Sequence, residues 1–123
     1  VADLAVSAGA QKFHKTFTVE EPSVSEKIIF IRFDVAVVIT KLVFLIKGAS
    51  PNRTVIMRHG TDISVTGTAV ITAGTVVTNT TTGQTVTTFD SASLSAGEYL
   101  WLTTTAGSGT VTELEVNVYA EEA

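Results

Sequence analysis

The sequence predicts an all-β domain: a two-sheet antiparallel sandwich of about eight strands, jelly-roll-like in its connections. Three observations carry this. Short apolar or alternating runs recur along the chain, each broken by Gly, Pro, Asn or Ser. Thr and Val dominate, and their β-branched side chains suit an extended backbone. No stretch of ordinary helix length carries an apolar period of 3.6. At 123 residues the chain is about one domain. Folding a chain of this size buries roughly two-thirds of its unfolded surface, enough for one core. There is no cysteine, so that core must hold without disulfides.

Residues 1–12 read as an N-terminal arm, and residues 13–123 as a single sandwich domain. The arm is small and mixed, with Leu4 and Val6 as its apolar points. It lacks the basic start and sustained apolar stretch of a secretory leader. Its opening on Val1 suggests processing or trimming.

The first strand is expected over residues 13–19. Phe13, Phe17 and Val19 share one parity, while His14, Thr16 and Thr18 share the other. Glu20-Glu21-Pro22-Ser23 breaks it. Residues 28–33 and 35–47 follow, with apolar residues on both parities. A sandwich strand with one wet face should alternate. The second face must therefore be covered, by a loop or arm of this chain or by another copy. Ile29, Ile31, Phe33, Val43 and Leu45, with Leu4 and Val6 of the arm, are the candidate interface residues.

Gly48-Ala49-Ser50-Pro51-Asn52 reads as a turn. Residues 53–59 form the next strand, with Val55 and Met57 on one face and Thr54, Ile56 and Arg58 on the other. Short strands are expected over residues 68–72 and 75–78, and a weaker one over 84–89. Residues 90–97 read as a loop plugged by Leu94. Residues 98–104 carry Tyr99, Trp101 and Thr103 on one face and Leu100 and Leu102 on the other. Ala106-Gly107-Ser108-Gly109 has the chemistry of a hairpin loop. The last strand spans residues 110–119, with Leu114, Val116 and Val118 inward and Glu113, Glu115 and Asn117 outward.

Composition narrows the function. A net charge of −4, with Lys and Arg scattered, argues against nucleic-acid binding. Charged residues make up only 16%, against about 25% in an average domain. A Thr-rich surface with few ions lies easily against other protein, since little charge must be desolvated. Residues 28–46 are apolar, but Arg32, Asp34 and Lys41 interrupt them, so no membrane span is expected.

Catalytic groups are sparse. His59, Asp62 and Ser64 surround one turn, without the fixed nucleophile, base and orienter geometry that acyl transfer needs. Local hydrogen bonding explains that grouping. No His and carboxylate spacing suggests a metal site, and no Gly-rich loop fits a phosphate cradle. No enzyme activity and no cofactor are expected. Tyr99 and Trp101 are either a sugar-stacking platform or, as the apolar strand around them favours, part of the core.

Two stretches carry a resemblance. Val55-Ile56-Met57-Arg58-His59-Gly60-Thr61-Asp62 and Leu94-Ser95-Ala96-Gly97-Glu98-Tyr99-Leu100-Trp101-Leu102, with the Thr-rich middle, resemble small β-sandwich virion proteins of tailed bacteriophages. The resemblance spans roughly residues 28–119 and brings no catalytic residue. It implies a structural protein on the capsid exterior, cementing or decorating the shell by protein contacts. Its partners would be the major capsid protein and copies of itself, as a homodimer or homotrimer. The alternative it allows is a receptor- or carbohydrate-binding module of a fibre, stacking ligand on Tyr99 and Trp101.

Overall fold

The computed structural model describes residues 11–123. Leu4 and Val6 of the candidate interface lie outside the described residues. The described chain is all-β and antiparallel. Its elements are β1 (Lys12–Glu20), β2 (Lys27–Arg32), β3 (Val37–Gly60), β4 (Thr68–Ala69), β5 (Thr75–Val77), β6 (Gln84–Val86), β7 (Ser93–Leu94) and β8 (Tyr99–Glu122). Lys12, assigned to the arm from sequence, is the first residue of β1.

β3 and β8, of 24 residues each, form the frame. They pair antiparallel from Val37↔Glu122 to Gly60↔Tyr99. β1 joins the C-terminal half of β8, from Lys12↔Glu121 to Glu20↔Glu113. β2 joins its N-terminal half, from Lys27↔Thr103 to Arg32↔Tyr99. On the other side, β7 and β6 pair with the first half of β3, and β5 and β4 with its second half. Hydrogen bonding thus runs through one eight-stranded sheet.

This sheet is doubled on itself. Phe17 lies opposite Val116, and Phe30 sits between the positions opposite Trp101 and Leu100. In a straight strand, positions 101 and 116 would stand about 50 Å apart. Yet the rings of Phe17 and Phe30 stack with centroids 4.2 Å apart. The two halves of the ribbon therefore face each other. Where the sequence suggests two separate sheets, the ladder shows a single sheet folded into a sandwich-like form.

The fold lies where two turns are expected from sequence. Neither turn reverses the chain. Residues 48–52 and 107–111 lie opposite each other, and the ladder continues through Gly48↔Val111, Ala49↔Thr110 and Asn52↔Ser108, with register slips. Glycine chemistry does its work here differently. Gly109 has φ +72, and a Cβ on it would lie 1.9 Å from the Ser50 carbonyl oxygen. The two backbones can press together only because that atom is missing.

Arg53 fastens the bend. It is 9% exposed, and its guanidinium donates to the carbonyls of Pro22 (2.9 Å), Asn52 (2.8 Å) and Ser108 (3.3 Å). Thr104 adds a second tie. Its hydroxyl donates to Ser23 O at 2.8 Å and accepts from Glu26 N–H at 2.7 Å.

Core side chains alternate along the frame. Val37 and Ile39 point inward; an irregularity between Ile39 and Lys41 then shifts the phase, so Leu42, Phe44 and Ile46 follow. Leu114, Val116 and Val118 meet them from β8, as their alternation predicts. Leu94 is 2% exposed and plugs the end of the core. Each such side chain contributes about 1.5–3 kcal/mol relative to leaving it in water.

Candidate functional site

The doubly apolar strands divide their side chains in a way that simple alternation does not give. β2 is irregular between Ile29 and Ile31. One extra residue flips every later side chain to the other face. Ile29, opposite Trp101, faces out and is 46% exposed. Ile31, opposite Leu100, packs against the core. Phe33 is buried at 6% exposure and belongs to the core cluster. Val43 and Leu45 do face outward, opposite Asn117 and Glu115, and each is half-buried.

Loops of the chain itself cover part of that outer face. Three glycines with φ between +75 and +90 lie against outward side chains: Gly67 on Trp101, Gly74 on Ile56 and Gly83 on Val43. A Cβ at Gly67 would stand 2.5 Å from the indole, and one at Gly83 would stand 2.8 Å from Val43. These backbones pack directly on the side chains below. The second face around β3 is therefore covered from within, one of the two solutions open at the level of sequence.

Trp101 shows the effect most fully. It is completely buried yet lies outside the main core cluster, on the outer face. Residues 60–67 roof it. Lys27 Nζ lies 5.3 Å from the ring centroid and donates to the Ile63 carbonyl, holding the roof down. Its Nε1 is the buried side-chain polar atom without a hydrogen-bond partner among the described residues. Tyr99 is half-buried, with the Arg32 guanidinium 6.0 Å from its ring. Tyr99 and Trp101 thus do not form an exposed stacking platform.

His59 finds partners remote in sequence. Its Nδ1 donates to Glu98 Oε1 at 2.6 Å, since a carboxylate only accepts. Its Nε2, 3.1 Å from Ser91 Oγ, accepts from the hydroxyl in the neutral ring. Asp62 accepts from Ser64 N–H and Oγ–H at 2.9 and 2.6 Å, the local turn bonding expected from sequence. Those bonds from Ser64 hold the Asp62 carboxyl below its usual range. At Glu98, burial pushes the pKa up, but hydrogen bonds from His59 and from Ser95 N–H outweigh it and leave the group below its usual range.

The distances of Ser91, His59 and Glu98 match those of a nucleophile, base and orienter. The surroundings do not. His59 is 4% exposed, and Ser91 N–H is committed to the Val70 carbonyl. Neither the groove beside Phe13 and Val35 nor a smaller one beside Lys41 and Tyr119 is lined by these groups. What the relay does visibly is tie β3 to the segments on both sides of β7.

The opposite edge is unlike this. β1 and β2 each pair only with β8, so both are edge strands among the described residues. Between them opens a groove of about 390 Å³, lined by Phe13, Phe17, Ile31, Phe33, Val35 and Val118. Lys15, Arg32, Asp34 and Glu122 stand among its lining residues, Arg32 and Asp34 paired with each other. Val35 is 41% exposed. Phe13, Phe17 and Val35 are absent from the candidate set drawn from sequence, because a half-buried parity looks the same at a closed core and at an open edge.

Among the described residues no His, Asp or Glu cluster is placed to hold a metal, and no helix is long and apolar enough to cross a membrane. Neither known protein families nor curated proteins yield a match to this chain.

Proposed function

We propose that this chain is a structural domain that works by protein–protein contact through the open edge between β1 and β2. The observation that supports it is the groove itself. Its walls are mainly aromatic and aliphatic, its charges are of both signs, and two edge strands border it. Long free edges invite pairing unless they are broken, charged or covered. The opposite side of the sheet is protected by very short strands and by loops. This one is not.

The finer form of the proposal is a capsid cement or decoration protein on the virion exterior, bridging copies of a major capsid protein. Its support is the sequence resemblance. The mechanism needs no chemistry: repeated burial of apolar area, at roughly 25 cal/mol per Å² before association costs, would hold neighbouring subunits. Co-sedimentation with empty tailed-phage shells, built from major capsid protein alone, tests this form. Pelleting with the shells, lost in Val35→Lys, is expected. A chain that stays in the supernatant removes the cement role.

A further inference from the structure

The free edge of β1 has a readable hydrogen-bond phase. Glu21 N–H donates to Thr112 O at 3.0 Å, and Gln11 O accepts from Glu122 N–H at 2.8 Å. The register between them is unbroken. In an antiparallel ladder, hydrogen-bonding pairs alternate along the strand. Odd-numbered residues of β1 therefore bond β8. The N–H and C=O groups of Lys12, His14, Thr16, Thr18 and Glu20 point to the open side.

We infer that β1 pairs antiparallel with β1 of a second copy of this chain, about a two-fold axis at Thr16. This rests on the open-edge reading above and names its partner. Among self-pairings, only those that place like parity opposite like keep the apolar face on one side. Centring on Lys15 sets that ammonium against its own copy. Centring on Phe17 runs Lys12 opposite Pro22, beyond the end of the strand. Centring on Thr16 pairs all nine residues. It sets Lys12 opposite Glu20 at both ends, Phe13 opposite Val19, and His14 opposite Thr18. Lys15 falls opposite Phe17, where its stem covers the ring and its charge stays at the rim.

Lys12, Thr16, Thr18 and Glu20 are all exposed in the single chain, so nothing in the described fold competes for this pairing. The two-fold axis stands perpendicular to the sheet. It brings the open edges of both copies together and continues one sheet into the next. An isologous contact of this kind closes as a dimer.

The test is the absolute mass of the full chain by light scattering after size exclusion, over a dilution series. The variants are Lys12→Glu, Glu20→Lys, the double reversal and Thr18→Pro. The wild type is expected at twice the chain mass. Each single reversal turns two attractions into two repulsions and is expected to weaken the dimer about tenfold. The double reversal restores it. Lys12 and Glu20 stand at opposite ends of a nine-residue strand, so rescue reports a contact between copies. Thr18→Pro removes an outward N–H and spares the ladder to β8, so it abolishes the dimer while circular dichroism stays that of the fold. An oligomer indifferent to every variant overturns β1 pairing and leaves the open-edge reading standing. A trimer overturns the two-fold pairing alone. A monomer at every concentration removes the pairing; shell binding in the same sample then decides the open-edge reading separately.

Discussion

On the β3 side the sheet ends in four strands of two or three residues each, whereas on the β8 side it ends in β1, nine residues long, and β2, six. The short strands are preceded and separated by glycine-bearing loops that lie back on Trp101, Ile56 and Val43. The long ones frame a bare groove. Both edges come from a chain rich in Thr and Val. The difference teaches that β propensity alone does not decide whether an edge is safe. Interruption does, because a strand of two or three residues offers a neighbour too few hydrogen bonds to hold it.

The sharpest way to break this comparison is to remove what the covered edge covers. Trp101→Ala is expected to cost about 3–5 kcal/mol in urea unfolding, as for other large buried aromatics. Ile29→Lys, its cross-strand neighbour on the exposed side of β2, is expected to change stability by about 0.5 kcal/mol or less. Equal effects would mean that residues 60–67 do not roof the indole in solution. Trp101 emission should also be blue and resistant to acrylamide in the wild type.

A smaller effect separates cover from conformation. Gly67 and Gly97 both have positive φ, at +75 and +89. An alanine at either is strained by about 1 kcal/mol. At Gly67 the new Cβ also meets Trp101 at 2.5 Å, while at Gly97 the nearest atom is the end of Arg32, at 3.4 Å. Gly67→Ala should therefore lower the melting temperature clearly more than Gly97→Ala. The reverse order would show that the loop yields without cost.

Acid sensitivity belongs to the covered side as well. The folded Glu98 carboxyl titrates below its ordinary value of 4.5. In that window the unfolded chain binds the extra proton, so stability rises with pH. The contribution is fully present above about pH 4.5 and is lost as pH falls through the folded value. Urea midpoints between pH 7 and pH 3 should fall less steeply for Glu98→Gln than for wild type. Parallel slopes would detach the His59 relay from acid stability.

The smallest effect expected is none. Ser91, itself half-buried, should stay unlabelled by a fluorophosphonate probe in the folded chain, because the His59 that would activate it is buried. Labelling that is lost in His59→Ala would turn that relay into a catalytic one and move the search for function to the covered edge.

Much of the fold was legible because it depends on alternation. The inward parity of Leu114, Val116 and Val118 follows from period two, and so does the split between Met57 and Arg58. Leu94 stood out as the one large apolar residue in a Ser and Ala loop. The site was less legible. His59 bonds Glu98 and Ser91, 39 and 32 residues away, while its sequence neighbour Asp62 bonds Ser64. Phe33 turns inward because β2 is irregular, and no residue type marks that irregularity.

By itself the sequence determined an all-β chain of alternating and doubly apolar strands, few charges and no cysteine, because these are properties of residues and their nearest neighbours. Tertiary structure decided the rest. Residues 48–52 and 106–109 have the chemistry of chain-reversing turns, but each became a bend because the other lies opposite and continues the ladder. Gly, Ser and Asn lower the cost of leaving the extended line; where the chain goes next depends on what faces it. For the same reason, only the folded sheet separates the edge that the chain covers from the edge that it leaves open.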